Sequence, residues 1–145
     1  DAEHILDLYR RLSPQSRFFR FLAPVPRLTP GLCHRLTDLD PDRVLVRLAF
    51  LDGRCVGEAR LVRGEPGAEL ALAVADEHQR RGIGGELFRL ALQDAAEHLG
   101  VATVDLCVHH QNRPMLRLLH AARAQLRLVD GSYEATLDVR GPARA

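Results

Sequence analysis

The nine residues QRRGIGGEL, at positions 79–87, combine three glycines with two arginines. They stand between a strand-like run, AELALAVA, and a helix-like run, LFRLALQDAAEHLG. The first amides of a helix have no partner within the helix, and the helix dipole adds about half a positive charge there. A phosphate can approach glycine backbone closely, and arginines can add charge-assisted bonds. The stretch therefore indicates an anion-binding turn, although a glycine-rich turn that only starts a helix stays open as the alternative.

Two common phosphate motifs do not fit this stretch. A P-loop ends in Gly-Lys-Ser/Thr, and the stretch contains neither Lys nor Ser. The dinucleotide fingerprint needs a third glycine, where Leu87 stands, and a parallel βαβ unit around it. The preceding segment instead predicts antiparallel hairpins, because Asp52-Gly53 is a hairpin turn signal. A phosphate bound here would therefore belong to another kind of ligand.

The elements that position this turn are predicted from hydrophobic periodicity. A first helix covers residues 2–12, a second begins after Ser13 as its N-cap, and a third begins at PGLCHRL. Strands follow at RVLVRLAFL, RCVGEARLVR and AELALAVA, the last apolar on both faces and therefore central. A helix then runs to about Leu99 and stops at Gly100. The strand VATVDLCVH, the helix NRPMLRLLHAAR and the strands AQLRLV and YEATLDV complete an α+β order.

Composition excludes several classes of protein. A length of 145 residues predicts one domain, and no apolar run is long enough for a membrane span. A net charge of +1 with 5% aromatic residues argues against a nucleic-acid partner. Cys33, Cys55 and Cys107 are widely spaced, which indicates free thiols in a reducing compartment and predicts a cytoplasmic location. The seven histidines lack ligand spacing, so no metal is expected.

The segment VADEHQRRGIGGEL resembles the acyl-CoA-binding motif of the GNAT superfamily of acetyltransferases, Gln/Arg-x-x-Gly-x-Gly/Ala. Gln79, Gly82 and Gly84 fill its fixed positions. The resemblance extends from Leu12 to Val139. The segments RLSPQSRFFRFLAP, AELALAVADEHQRRGIG and HHQNRPMLRLL are also similar to a narrower group, the bacterial Pat-type protein lysine acetyltransferases.

This resemblance implies a three-layer α/β/α architecture within the α+β class. The central sheet is expected to be mixed and mostly antiparallel, with two central strands that splay apart. Asp1 stands too late for the strand that usually precedes the first helix, so that strand is expected to be missing. The chain 1–145 is expected to be a single GNAT domain, cut from a longer multidomain chain.

The resemblance also implies acetyl-CoA as the cosubstrate. Its pantetheine arm would bond to the backbone of the first splayed strand, and its pyrophosphate would lie on the amides of the glycine-rich turn. An asparagine that starts the later helix commonly contacts the cofactor; the asparagine here is also a good N-cap, and both readings stay open. The implied cofactor-binding residues are Leu72, Ala73, Val74, Gln79, Arg80, Arg81, Gly82, Ile83, Gly84, Gly85 and Asn112.

Acetyl transfer to an amine needs a base, because a lysine ammonium with a pKa near 10.4 must lose a proton. Glu69 lies ten residues before Gln79, where Pat-type enzymes carry a catalytic glutamate. It also begins an apolar strand, where partial burial would raise its pKa toward a useful range. The alternative is an exposed carboxylate at a strand edge. Other carboxylates, at Glu58, Asp76 and Glu77, are weaker candidates, and the amide of Val74 is the oxyanion donor that the resemblance implies.

Two departures from the superfamily pattern concern the leaving thiolate and the acceptor side. Leu119 stands seven residues after Asn112, where many members carry a tyrosine that protonates the thiolate. The segment HAARAQLRL replaces a common Leu-Gly-Phe bend. A simple acid–base scheme with two residues is therefore not expected.

Three functions remain open from the sequence. The favoured one is acetylation of a lysine on a partner protein, for which the Pat-type resemblance implies an AMP-forming acyl-CoA synthetase that acetylation inactivates. The second is acetylation of a small amine. The third is a non-catalytic acyl-CoA sensor within a regulatory protein, which the leucine at position 119 favours and Glu69 disfavours. A fused regulatory domain is compatible with each of them.

Overall fold

A computed structural model describes residues 1–79 and 81–140 of the chain. Its elements follow the predicted order closely. No helix in the described part of the chain is both long and apolar enough to cross a membrane. The elements are α1 (Ala2–Arg11), α2 (Pro14–Phe21), α3 (Pro30–Thr37), β1 (Val44–Leu51), β2 (Arg54–Arg63), β3 (Ala68–Val74), α4 (Ile83–Asp94), β4 (Thr103–His109), α5 (Arg113–Ala121), β5 (Gln125–Val129) and β6 (Ser132–Asp138).

Local signals in the sequence account for several of these boundaries. The hydroxyl of Ser13 accepts a hydrogen bond from the amide of Ser16, which confirms Ser13 as the N-cap of α2. Asp52 and Gly53 have φ of 52° and 79°, the left-handed pair that a tight hairpin between β1 and β2 requires. After α4, one π-helical turn covers Ala95–Leu99 and ends at Gly100, which is left-handed.

The six strands form one sheet in the order β1-β2-β3-β4-β6-β5. All neighbours are antiparallel except β3 and β4, which are parallel. The sheet is therefore mixed and mostly antiparallel, as predicted, and β3 is central. Within the described residues, the first strand is β1, which follows three helices.

Helices cover both faces of the sheet and create two apolar cores. On one face, Leu87 and Phe88 of α4 and Leu119 of α5 pack with the apolar side chains of β2, β3, β4 and β6. On the other, Ile5, Leu8 and Tyr9 of α1 pack with α3 and the nearby strands. This arrangement is the three-layer α/β/α architecture of the prediction.

Gly57 on β2 lets α4 approach the sheet closely. A Cβ placed on Gly57 would lie 2.9 Å from Cδ1 of Leu87 and 3.3 Å from Cγ2 of Ile83. Both contacts are shorter than ordinary van der Waals packing. The absence of a side chain at Gly57 therefore lets the first turn of α4 lie close to the end of β3. The glycine-rich turn connects these two elements.

Candidate functional site

The parallel strands β3 and β4 separate soon after they meet. Their pairing is limited to Ala68 with Val104 and Glu69 with Asp105, after which the strands diverge. This is the splay that the resemblance implied. A pocket of about 280 Å³ occupies the gap. It is lined by Phe19, Arg20, Phe21, Leu22, Glu69, Leu70, Ala71, Leu72, Leu106, Cys107, Val108, Asn112 and Met115.

The backbone of β3 presents alternate residues to this gap. The amide of Ala75 donates to the carbonyl of Val56 on β2, and the antiparallel register continues without a shift along the whole of β3. Because bonding direction alternates along a strand, Ala73 directs its backbone groups to β2, whereas Leu72 and Val74 direct theirs toward the gap. Of the three residues predicted to bind the pantetheine arm, Leu72 and Val74 direct backbone groups to the gap, although the carbonyl of Val74 already accepts from the side-chain amide of Gln79.

The glycine-rich turn forms the N-terminus of α4. Gly82 is the residue before the helix and has φ of 81°, a conformation that glycine adopts without strain. The first intrahelical bond runs from the amide of Glu86 to the carbonyl of Gly82. The amides of Ile83, Gly84 and Gly85 precede that bond and have no partner within the helix. They supply the positive helix terminus that a pyrophosphate needs, so the described residues of the turn fit the phosphate part of the cosubstrate.

Two adjacent arginines precede Gly82 in the turn. Arg81 is exposed beside the N-terminus of α4, where its guanidinium adds positive charge. Arg80, which was predicted to bind the pyrophosphate with it, lies outside the described residues.

Gln79 anchors the turn to its surroundings. Its side-chain amide donates to the carbonyl of Val74 at 3.0 Å and to the hydroxyl of Ser16 at 3.2 Å. Asp76 adds to this anchor, because its carboxylate accepts from the amide of Ser13 and from the hydroxyl of Ser16. The side chain of Gln79 therefore holds the turn against β3 and α2, and Asp76 is occupied as a structural acceptor.

Glu69 lies at the edge of the pocket, near the point where β3 and β4 separate. Its side chain is exposed, so the prediction of partial burial was wrong. The reason is that Glu69 and its neighbour Asp105 point to a part of the sheet where both side chains remain exposed, while the flanking Ala68 and Leu70 point into the core. An exposed carboxylate at the mouth of the pocket is accessible to an incoming amine.

The other carboxylate candidate on the strands is inaccessible. Glu58 is 0% exposed, and its carboxylate binds the guanidinium of Arg60 at 2.8 Å and the hydroxyl of Tyr9 at 2.6 Å. Glu77 is exposed and forms an ion pair with Arg11; a local backbone hydrogen bond, together with that ion pair, lowers its pKa. Neither residue lines the pocket, which leaves Glu69 as the accessible carboxylate there.

Asn112 both caps α5 and lines the pocket. Its side-chain oxygen accepts from the amide of Met115 at 3.4 Å, which confirms the N-cap. The capping bond uses the oxygen and leaves the NH₂ group of the amide able to donate elsewhere. The two readings of Asn112 are therefore compatible in this geometry.

Leu119 stands where many members of the superfamily carry the tyrosine that protonates the thiolate. Leu119 is 0% exposed and packs in the core under α5. Tyr9 is also 0% exposed, and burial raises its pKa well above the usual range. The neutral Tyr9 hydroxyl is bonded to Glu58 and does not line the pocket.

Sequence reasoning missed two polar residues of the pocket, Arg20 and Cys107. Partial desolvation raises the pKa of the Cys107 thiol, and the carboxylates of Glu69 and Glu134 raise it further. Arg20 lies in the segment SPQSRFFRFL, whose arginine between aromatic residues gave no specific signal. Only the packing of α2 beside β3 brings Arg20 to the gap.

A second groove, of about 340 Å³, lies between β1 and the end of α4. Its charged residues include Asp94, which is buried and forms a two-point ion pair with Arg47. This pair joins β1 to α4, so the charges of that groove have a structural explanation.

Comparison with known proteins agrees with this geometry. The model of the Acetyltransferase (GNAT) family matches residues 5–122. The chain is 34% identical to "Acetyltransferase PA5475" of Pseudomonas aeruginosa over 95 residues, which are 61% of this chain and 51% of that protein. The chain thus spans about half the length of this relative.

Solved structures show the same fold. The GNAT domain of S. lividans PAT is 28% identical with a TM-score of 0.83, over 95% of this chain and 85% of that one. The PaiA N-acetyltransferase of Thermoplasma acidophilum, solved in complex with coenzyme A, is 17% identical with a TM-score of 0.70, over 95% of this chain and 92% of that one. Spermidine N-acetyltransferase of Vibrio cholerae is 15% identical with a TM-score of 0.75, over 95% and 89%.

The chain therefore belongs to the Acetyltransferase (GNAT) family. Its fold and its family define an N-acetyltransferase domain with acetyl-CoA as the acyl donor. The acceptor is a separate question, because the solved relatives include acetyltransferases with different substrates.

Proposed function

We propose that this domain acetylates a lysine side chain of a partner protein and that Glu69 is the general base. The observation that carries the proposal is the position of Glu69, an exposed carboxylate at the mouth of the gap between β3 and β4. Similarity to the GNAT domain of S. lividans PAT supports a protein acceptor. The Pat-type resemblance of the sequence further favours an AMP-forming acyl-CoA synthetase, inactivated by acetylation in the cytoplasm.

Different parts of acetyl-CoA would be bound by α4, by β3 and by the start of α5. The amides of Ile83, Gly84 and Gly85 would hold the pyrophosphate of acetyl-CoA, which supplies an activated acetyl thioester. The carbonyl of Leu72 and the amide of Val74 would orient the pantetheine arm in the gap. Asn112 would donate its free amide hydrogens from the other wall.

Distance along β3 favours Leu72 over Val74 as the oxyanion donor. At about 3.3 Å per residue, Leu72 lies about 10 Å from Glu69 and Val74 about 16 Å. A base acts directly or through one water, so the amine and the carbonyl that it attacks must lie close to Glu69. Leu72 also lines the pocket with Glu69. We therefore assign the oxyanion bond to the amide of Leu72, in place of the Val74 amide that the resemblance implied.

Glu69 would accept a proton from the lysine ammonium, whose pKa near 10.4 keeps it charged at neutral pH. The neutral amine can then attack the carbonyl. When the C–S bond breaks, the new amide nitrogen loses its second proton to the departing thiolate or to water, because the buried Leu119 can neither give nor take a proton.

The test is the intact mass of an AMP-forming acetyl-CoA synthetase incubated with acetyl-CoA and this domain. We expect a gain of one acetyl group with the wild-type domain and a rate lower by on the order of 100-fold or more with Glu69→Gln, at unchanged acetyl-CoA affinity. Asp105→Asn is the matched control, because Asp105 is the exposed carboxylate next to Glu69 on β4. It should retain wild-type activity.

The outcomes separate the open functions. A wild-type rate in Glu69→Gln would overturn the assignment of the base. If the synthetase is not acetylated but small amines are, the acceptor is a small amine. Binding of acetyl-CoA without turnover of any acceptor would favour a sensor. The domain itself contains no lysine, so every acetyl-lysine detected belongs to the acceptor.

The same reasoning extends to the whole protein. We also propose that this domain, 1–145, is part of a longer chain that carries a regulatory domain. Mass and sequence of the native protein would test this directly.

A further inference from the structure

Arg20 is a cation on the α2 wall of the candidate pocket. It lines the gap together with Glu69, and its side chain is half-buried. Its Nε donates to the hydroxyl of Tyr9 at 2.9 Å. None of the ion pairs among residues 1–79 and 81–140 includes Arg20.

The buried network behind Arg20 does not neutralise it. Tyr9 donates its proton to Oε2 of Glu58 at 2.6 Å, and Glu58 is paired with Arg60 at 2.8 Å. Arg60 also donates to the carbonyl of Leu36. The charges of Glu58 and Arg60 cancel, and Tyr9 is neutral, so the positive charge of Arg20 remains at the pocket wall.

Arg20 is also held in place before any ligand binds. The Cζ atom of its guanidinium lies 4.8 Å from the ring centroid of Phe21 and 5.7 Å from that of Tyr9. Stacking on aromatic faces restrains the planar guanidinium, and the bond to Tyr9 uses only Nε. The two terminal nitrogens are thus available as a fork for a carboxylate, with little side-chain entropy left to lose.

The acyl donor supplies no anion at this place. Its phosphates belong at the N-terminus of α4, beyond the end of β3, and the acetyl group and pantetheine arm near Glu69 carry no charge. An anion at Arg20 must therefore come from the acceptor. The pocket then has one group of each charge, Arg20 on α2 for the acidic group of the acceptor and Glu69 on β3 for its amine.

We propose that Arg20 binds an acidic group of the acceptor and so selects lysines with a neighbouring Asp or Glu. This inference rests on the proposed lysine acetyltransferase function and names a specificity residue for it.

The test uses three synthetic peptides, Ala-Ala-X-Lys-X-Ala-Ala with blocked ends, in which X is Glu, Gln or Arg. We expect the wild-type domain to acetylate the Glu peptide with a kcat/KM about tenfold above the Gln peptide and higher still above the Arg peptide. Arg20→Gln should reduce the ratio of Glu to Gln peptide to about one. Arg20→Lys keeps the charge without the fork and should retain part of the preference.

Arg10→Gln provides the control, because Arg10 is an exposed arginine at the end of α1 and does not line the pocket. It should keep the wild-type ratio. A ratio of peptide rates is insensitive to a general loss of folded protein, so a purely structural role of Arg20 would leave the ratio unchanged.

Three results would overturn the inference: equal rates for Glu and Gln peptides in the wild type, a preference that survives in Arg20→Gln, or a preference of the wild type for succinyl-CoA over acetyl-CoA that Arg20→Gln abolishes. The last result would assign Arg20 to the acyl group. Failure of the proposed function has a different signature, since then no peptide of any charge would be acetylated.

Discussion

Tyr9→Phe tests whether the buried network of Tyr9, Glu58 and Arg60 stabilises the fold. The hydroxyl of Tyr9 donates to Glu58 at 2.6 Å and accepts from Arg20 at 2.9 Å, and both Tyr9 and Glu58 are fully buried. Hydrogen bonds to charged groups contribute about 1.5–3 kcal/mol each. Arg60 remains on Glu58 in the variant, which limits the loss. We therefore expect the free energy of unfolding to fall by about 2 kcal/mol at about pH 7.5, measured by urea unfolding.

The same substitution should change the pH dependence of stability. Burial raises the pKa of Tyr9, so the folded state keeps this proton at pH values where the unfolded state loses it. The stabilising contribution is complete below about pH 10, the ordinary tyrosine value, and declines above it by up to about 1.4 kcal/mol per pH unit. Tyr9→Phe lacks this decline, so the difference between wild type and variant should shrink from about pH 10 to about pH 11.5.

Tyr133→Phe is the control for this experiment, because Tyr133 is half-exposed on β6 and undergoes the same chemical change. Burial also raises the pKa of the Cys55 thiol, but Cys55 is present in every variant, so its contribution cancels in the difference. A loss below about 0.5 kcal/mol, or a loss that does not depend on pH above about 10, would refute the argument.

Two glycine substitutions have opposite expected signs. Arg123 follows α5 with φ of 59°, a position usually occupied by glycine, so Arg123→Gly should raise the free energy of unfolding by about 0.5–1 kcal/mol in urea titrations; no change would show that the left-handed arginine is unstrained. Gly82 has φ of 81°, and a methyl group added there would meet no atom within 4 Å. Gly82→Ala should therefore lower the free energy of unfolding by about 1 kcal/mol through backbone conformation alone. The same variant should bind acetyl-CoA more weakly, measured by calorimetry. Gly31→Ala in α3 is the control and should leave the free energy of unfolding unchanged or raise it. Wild-type acetyl-CoA affinity in Gly82→Ala would show that the turn is not part of the binding site.

The sequence predicted features that depend on neighbouring residues. The caps at Ser13 and Asn112, the left-handed turn at Asp52-Gly53 and the strand–turn–helix around Gly82 all follow from short-range backbone chemistry. The order of elements followed from periodicity, and the family resemblance supplied the splayed sheet. Together these features suffice to predict that Glu69 and the glycine-rich turn lie at opposite ends of β3.

The sequence did not predict features that depend on what packs over the sheet. The prediction of burial for Glu69 was wrong because exposure is set by the helices that cover each part of a strand, and this part of β3 is left open. Tyr9 and Glu58 are 49 residues apart and meet only when α1 packs on β2. The role of Gln79 as an anchor of the turn likewise depends on Ser16 of α2, 63 residues away.

The Tyr9 network connects the stability of the fold with the acceptor selection that we propose for Arg20, and two variants can separate the two effects. Tyr9→Phe removes the bond that holds Nε of Arg20 but leaves Arg20 stacked on Phe21. It should therefore lower stability and reduce the preference for the Glu peptide only partly. Arg20→Gln removes the preference and leaves the bond between Tyr9 and Glu58 intact, so its stability loss should be the smaller one. If Arg20→Gln lost more stability and Tyr9→Phe lost more of the preference for the Glu peptide, the preference would not depend on the charge of Arg20.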